Sequence, residues 1–236
     1  MKQRNSLALI LKNGIELSSS GTTGSPKQIY QSPSKLKNAN KVARECQKIS
    51  SKSKIYTVCK MEHAGGLLAQ TLPAFEVGAD IDIEEFNAYK FCKKITNYTH
   101  THLTPNHAKA IRLTKSFKNI NLNGIWVTCG SEPVEWDLII DFVKKGCKFM
   151  VNWGMTEIGP CAINTVFKNL ESVLDYKERA INGTLIGDKT YCDTKIRNNK
   201  LYVKGSISVF NDKWFDTKDI VALNKNKEFY IQGRSK

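Results

Sequence analysis

Leu17-Ser18-Ser19-Ser20-Gly21-Thr22-Thr23-Gly24-Ser25-Pro26-Lys27 decides how the rest of this chain is read. Small hydroxyl residues and glycine favour turns and compete for backbone hydrogen bonds, so the run is a loop and not a packed element. Gly21 and Gly24 let the backbone pass through positive φ and aim successive N–H groups at one point. The hydroxyls of Ser18, Ser19, Ser20, Thr22 and Thr23 and the Lys27 ammonium add donors and charge. Such a loop suits a polyphosphate. A flexible linker shares this composition but has no need of one Lys set after Pro26. The apolar residues Ile15, Leu17, Ile29 and Tyr30 also flank the run on both sides. The standard phosphate-loop spacing is not met, because Ser25 and Pro26 separate Gly24 from Lys27.

Around this loop the composition is that of a folded domain. The chain has 236 residues, 41% of them hydrophobic and 9% aromatic, enough for a substantial core. No apolar run of about eighteen residues occurs, and the N-terminus lacks a signal-peptide pattern, so no membrane partner and a cytosolic location are expected. Seven cysteines stand singly at 46, 59, 92, 129, 147, 161 and 192 without a Cys-x-x-Cys pair, which reads as structural thiols in a reducing compartment. The net charge is +14, but it comes mostly from Lys spread along the chain beside only six Arg. Nucleic-acid readers cluster their basic residues and interleave Arg and aromatics, so nucleic acid is not the expected partner.

Beyond the loop, 27–31 reads as a strand, and Ser32-Pro33-Ser34 caps a helix to about Ile49 with Leu36, Ala39, Ala43, Cys46 and Ile49 on one face. Short apolar strands at 55–59, 79–83, 101–104, 124–128 and 148–152 then alternate with helical stretches at 66–74, 84–95, 106–114 and 134–145. That alternation predicts an α/β fold with a mostly parallel sheet covered by helices. From about Ala162 the pattern changes to short strands at 191–196, 201–204, 220–223 and 229–232, a small antiparallel β subdomain without a long helix. The boundary falls between residues 160 and 161, giving an α/β core (1–160) and a β subdomain (161–236).

Two Gly-containing corners lie at strand ends, where ligands bind in open α/β sheets. One is Cys129-Gly130-Ser131-Glu132-Pro133; the other runs from Asn152 through Trp153-Gly154-Met155-Thr156-Glu157-Ile158-Gly159-Pro160. Met61-Glu62-His63-Ala64-Gly65-Gly66 follows the first strand of the sheet. His100, His102 and His107 cluster in sequence, but no Cys or acidic ligand accompanies them, so they are not read as a metal site.

The run at 19–27 resembles the phosphate-loop motif of the acyl-adenylate-forming superfamily, which includes acyl-CoA synthetases, beetle luciferases and peptide-synthetase adenylation domains. Further stretches follow in that family's order over nearly the whole chain. Residues 153–157 are similar to its Tyr-Gly-x-Thr-Glu motif, with Trp153 in place of Tyr. The likeness implies a Trp153 face stacked on a purine, the Thr156 hydroxyl on the α-phosphate and Glu157 as the Mg²⁺ ligand. By the same likeness Gly130, Ser131 and Glu132 lie along the adenine, with Asn152, Gly154 and Met155 beside the nucleotide. His63 resembles the His of a His-x-x-Gly segment that lines the acyl pocket. Asp219, in Trp214-Phe215-Asp216-Thr217-Lys218-Asp219, matches the Asp that holds both ribose hydroxyls, although Lys218 replaces the usual glycine of that turn. Arg234 matches a ribose-contacting Arg at the family's hinge.

The resemblance implies an AMP-forming acid ligase. A small-molecule carboxylate attacks the α-phosphorus of ATP, giving acyl-AMP and pyrophosphate, with Mg²⁺ as cofactor; the acyl acceptor, CoA or another, is left open. Lys27, Glu157, Thr156 and His63 are the expected catalytic residues. The alternative is a non-catalytic ATP, AMP or acyl-adenylate binder. The family's first α/β subdomain and its C-terminal lid, which carries a catalytic Lys, have no counterpart in the quoted motifs, so partner-dependent activity is expected. An uncovered sheet face is expected to bring a homo-oligomer or a partner chain.

Overall fold

The computed structural model describes residues 2–19 and 27–235. Ser20, Gly21, Thr22, Thr23 and Gly24, expected at the phosphates, lie outside the described residues. Helix α1 (Lys2–Asn13) leads into the antiparallel hairpin β1 (Ile15–Ser19) and β2 (Lys27–Gln31), followed by α2 (Pro33–Gln47) and β3 (Lys54–Thr57). A helical run then combines α3 (Ala64–Gly66), a π turn (Leu67–Thr71) and α4 (Leu72–Glu76), and leads to β4 (Asp80–Ile83). Next come α5 (Ala88–Lys94), β5 (His100–Leu103), α6 (Pro105–Arg112), β6 (Trp126–Gly130), α7 (Trp136–Val143) and β7 (Lys148–Met155). The chain continues through β8 (Gly159–Phe167), α8 (Leu170–Glu178), β9 (Thr184–Gly187), β10 (Lys189–Thr190), β11 (Asp193–Arg197), β12 (Lys200–Lys204), β13 (Phe215–Leu223) and β14 (Phe229–Arg234).

The larger sheet has seven strands in the order β10-β8-β7-β6-β5-β3-β4, with β4, β3, β5, β6 and β7 parallel and β8 and β10 antiparallel at one edge. The smaller sheet is antiparallel, β11-β12-β13-β14-β9. The fold is therefore the expected α/β architecture with an antiparallel sheet attached. Strand order reverses between β3 and β5, which opens a crevice at the carboxyl ends of the strands.

Local chemistry explains the elements that frame that crevice. Helix α2 starts where Ser32 Oγ accepts from the Lys35 N–H (3.2 Å) with Pro33 in the first turn, and it stops at Lys48, whose φ is 60°. The π turn is held by buried polar groups: Thr71 Oγ1 donates to the Gly66 carbonyl (2.7 Å), and Gln70 Nε2 donates to Gln47 Oε1 (2.8 Å) and the Thr101 carbonyl (3.1 Å). With those bonds made, the irregular turn leaves few orphaned backbone groups.

Both faces of the larger sheet are covered within the chain. Val127, Cys129, Phe149 and Val151 pack under α5 to α8, whereas Trp126, Met150 and Cys161 pack against Ala43 and Cys46 of α2. The uncovered face that led to the expectation of a homo-oligomer or partner chain is absent from the described residues, and that expectation loses its basis. The larger sheet also runs past residue 160, because β8 pairs along β7 (Trp153↔Ile163, Phe149↔Phe167), so the 160/161 boundary cuts a sheet in two. Gly159-Pro160 reads as a turn in sequence, but a Pro beside the first residue of a strand is tolerated. Helix α8 was unforeseen because only Val173 of its nine residues is buried, which leaves no periodic stripe. No helix among the described residues is long and apolar enough to cross a membrane.

Burial makes the fold acid-sensitive. Burial holds the His102 imidazole down at about 4, with the nearby His107 adding to the effect, and burial also lowers His100 and His107. The folded protein keeps these rings neutral while the unfolded chain protonates near pH 6.5, so the unfolded state binds more protons between about pH 6.5 and 4. Stability is thus complete above pH 7 and falls as the pH drops through that window. The His102 share of the loss is about 3 kcal/mol. Thermal melts from pH 7.5 to 4.5 check this: a flat profile, or a slope unchanged in His102→Gln, refutes it.

Candidate functional site

The carboxyl ends of β3, β6 and β7 carry His63, Gly130–Glu132 and the 152–157 stretch, while Asp219 and Arg234 come from β13 and β14. Strand β7 continues past its expected end at Asn152 to Met155, and Thr156-Glu157-Ile158 forms the turn into β8, so the Trp153–Pro160 stretch is a hairpin. The hairpin is tight because Gly154 lies against the opposite strand, where a β-carbon would come within 2.3 Å of the Gly159 carbonyl oxygen.

Trp153 sits with its ring among Ile163, Ile186, Val203, Ile207 and Phe229, 7% exposed. Its indole N–H donates to Asp219 Oδ2 at 3.0 Å. This ring belongs to a core with residues of both sheets, and its polar edge serves as an anchor for the carboxylate. A buried indole N–H usually finds a partner, and here Asp219 supplies it. Across the β13–β14 ladder Asp219 pairs with Arg234, whose Nε stands 3.8 Å from Oδ1. Burial raises the Asp219 pKa, opposed by the Arg234 charge and the Trp153 hydrogen bond. Two motifs remote in sequence and a third near the tail thus meet at one carboxylate.

A family model described as "AMP-binding enzyme" matches residues 18–203, which include the phosphate loop, both strand-end corners and His63. The chain belongs to the AMP-binding enzyme family. An indoleacetate–CoA ligase from Aromatoleum aromaticum is 24% identical over 237 positions, covering 92% of this chain and 46% of that protein. In fold the chain is similar to the inhibitor-bound N-terminal domain of FACL13 from Mycobacterium tuberculosis, with TM-score 0.79, 18% identity, and coverage of 93% of this chain and 60% of that one. It is also similar to O-succinylbenzoate coenzyme A synthetase (MenE) from Bacillus subtilis in complex with AMP, with TM-score 0.76, 17% identity, and coverage of 93% and 48%. The chain spans about half the length of the curated relative it matches.

Within this AMP-binding chain the turn before Asp219 keeps a left-handed conformation without glycine. Lys218 has φ 66°, and its N–H is held by Asp216 Oδ1 at 2.9 Å. A β-carbon in that region costs about 1 kcal/mol or more relative to glycine. Lys218→Gly is therefore expected to stabilise the chain by about 0.5–1 kcal/mol even after losing the half-exposed Lys218–Asp216 ion pair. Denaturant titration tests this; a loss of stability would mean that the ion pair outweighs the backbone strain.

The remaining expected residues fall into three groups. At the hairpin β1–β2, Ser19 pairs with Lys27 where the strands enter the phosphate loop, and Ser18 Oγ accepts from Gln28 Nε2 at 2.9 Å. At the end of β6, Gly130 lies beside Asn152, and a β-carbon there would meet the Asn152 carbonyl oxygen at 2.2 Å. The Asn152 amide donates one N–H to the Pro160 carbonyl at 2.5 Å, while its Oδ1 is buried without a partner among the described residues. Ser131 follows with φ 75°, and Glu132 accepts from Asn106 at 3.1 Å on the surface. In the third group, exposed His63 stands at the start of α3 with no side-chain capping bond. Gly65 goes deeper, since a β-carbon on it would sit 2.9 Å from His102 Cε1 and 3.3 Å from Ser131 Oγ.

Three participants were not singled out in sequence. Gln31 Nε2 donates to the Thr156 carbonyl at 3.0 Å, tying the phosphate-loop hairpin to the Thr156–Glu157 turn. Lys35, 3% exposed, donates from Nζ to Gln31 Oε1. Burial pushes its ammonium down to about 7, with the Glu157 charge acting in the opposite direction. The readable signal for Lys35 was its spacing, one helical turn before Ala39 on the apolar stripe of α2. The third is Val209, whose N–H holds the Glu157 carbonyl at 2.8 Å from a loop that carries no motif.

Proposed function

We propose that this chain binds ATP across the strand-end crevice and activates a small carboxylic acid as its acyl adenylate, with CoA as the acyl acceptor. The observation that carries the proposal is the 3.0 Å bond between Trp153 and Asp219, which brings the middle motif and the tail motif onto one carboxylate. With Oδ2 shared with the indole and Oδ1 toward Arg234, the carboxylate retains lone pairs for the two ribose hydroxyls. Gly130 and Gly154 let the ends of β6, β7 and β8 close tightly on one another, which fixes the corner on which the base is to rest. Thr156 and Glu157 then face the phosphates, and Lys27 enters from the hairpin.

Glu157 suits Mg²⁺, because that ion is held by one or two carboxylates with phosphate oxygens and water filling the other positions. When bound, Mg²⁺ neutralises phosphate charge. The chain's own residues orient the ribose through Asp219 and Arg234, add cationic charge through Lys27 and hold the acid beside Gly65. In the reaction a carboxylate oxygen bonds to the α-phosphorus and the bond to pyrophosphate breaks. The protein's contribution is positioning and charge stabilisation.

Calorimetry with ATP and AMP, followed by ATP–pyrophosphate exchange over a panel of aryl and aliphatic acids, tests the proposal. Nucleotide binding with exchange stimulated by particular acids supports it. Binding with background exchange for every acid leaves a nucleotide-binding module, and no nucleotide binding at millimolar concentration overturns both.

A further inference from the structure

Lys35 is in an unusual place for a lysine. It is 3% exposed, and it lies in the first turn of α2, where the helix dipole is positive and disfavours a cation. Lysine is almost never fully buried unless paired, and no carboxylate lies within ion-pair distance of its Nζ among the described residues. Its hydrogen-bond partner is a neutral amide. Gln31 is itself fully buried, and both ends of that amide are engaged: Oε1 accepts from Lys35 Nζ, and Nε2 donates to the Thr156 carbonyl at 3.0 Å. An ammonium has donors only, so it compels the amide oxygen to face it and turns the NH₂ group toward Thr156. The Glu157 carboxylate is the charge that acts on Lys35 across this short relay.

We infer that Lys35 is a positioning residue of the nucleotide site: it fixes the Gln31 amide so that the amide holds the Thr156 carbonyl at the turn that carries Glu157. The inference rests on the nucleotide reading above. It explains why a cation is kept in the core where Gln31 of the phosphate-loop hairpin meets the Thr156 carbonyl. An apolar side chain of the same length fills the space but leaves Gln31 Oε1 without a donor, so the amide is held at one end only and its grip on the Thr156 carbonyl loosens.

Calorimetric titration of ATP with Mg²⁺ into the wild-type chain, Lys35→Met, Lys35→Arg and Gln31→Glu tests this, with a thermal melt of each. Lys35→Met is expected to stay folded and to bind ATP about tenfold more weakly, and Lys35→Arg to recover part of the loss. Gln31→Glu keeps an acceptor for Lys35 but has no donor for Thr156, so it is expected to show a similar fall; it also decides the matter if Lys35→Met does not fold. A merely structural lysine would change the melting temperature and leave ATP affinity within twofold in both Lys35→Met and Gln31→Glu, and that result overturns the inference while the nucleotide reading stands. No ATP binding by the wild-type chain overturns both.

Discussion

Asp219→Ala is expected to weaken ATP binding by about a hundredfold, the largest loss from any single side chain in the site. The carboxylate is asked to accept from two ribose hydroxyls, and hydrogen bonds to a charged group contribute about 1.5–3 kcal/mol each. It also holds the Trp153 indole N–H at 3.0 Å and faces Arg234 across the ladder. Removing it leaves a buried donor unpaired, which adds a stability cost of about 1–3 kcal/mol. Asp219→Asn separates the two effects. The amide oxygen still satisfies Trp153, so stability is largely kept, while the lost charge costs about tenfold in affinity. Trp153→Phe removes only the anchor and is expected to fall between them. Calorimetry with ATP, together with melts of all three variants, is the measurement; Asp219→Ala binding within threefold of wild type refutes the role.

Gly154→Ala is expected to destabilise the chain by about 3 kcal/mol, lowering the melting temperature by about 10 °C. The added methyl would lie 2.3 Å from the Gly159 carbonyl oxygen and 2.5 Å from the Pro160 carbonyl carbon. Both are backbone atoms of the facing strand and cannot rotate away, so β7 and β8 must separate at the turn that carries Thr156 and Glu157. Gly233→Ala is the control, because nothing lies within 4 Å of a β-carbon there and its φ is ordinary. Scanning calorimetry that shows equal melting for the two variants would mean that the hairpin opens at little cost.

The parallel sheet was legible because short strands alternate with helical stretches, several of the strands buried along their length as in Trp126-Val127-Thr128-Cys129-Gly130. The 19–27, 153–160 and Asp219 stretches could be singled out because each is a contiguous motif, although the hairpin form of 153–160 could not. The Trp153 motif says which residue is present and not which way the ring faces; that depends on the core it joins with Val203 and Phe229 of the small sheet, far along the chain. Lys35 and Gln31 were overlooked for a related reason: one is the polar member of an apolar helical stripe and the other the last residue of a strand, and neither carries chemistry until Thr156 is brought beside it.

Sequence alone determined the alternation of strands and helices and the order of the phosphate-binding, hairpin and ribose-side motifs, since these depend on periodicity and on contiguous residues. Tertiary structure decided that both faces of the sheet are covered from within, that Trp153 is an anchor for Asp219, and that a buried lysine reaches the Thr156–Glu157 turn. Those outcomes depend on contacts between residues far apart in the chain, and a hydrogen bond or a packed face exists only once the fold has brought both partners together.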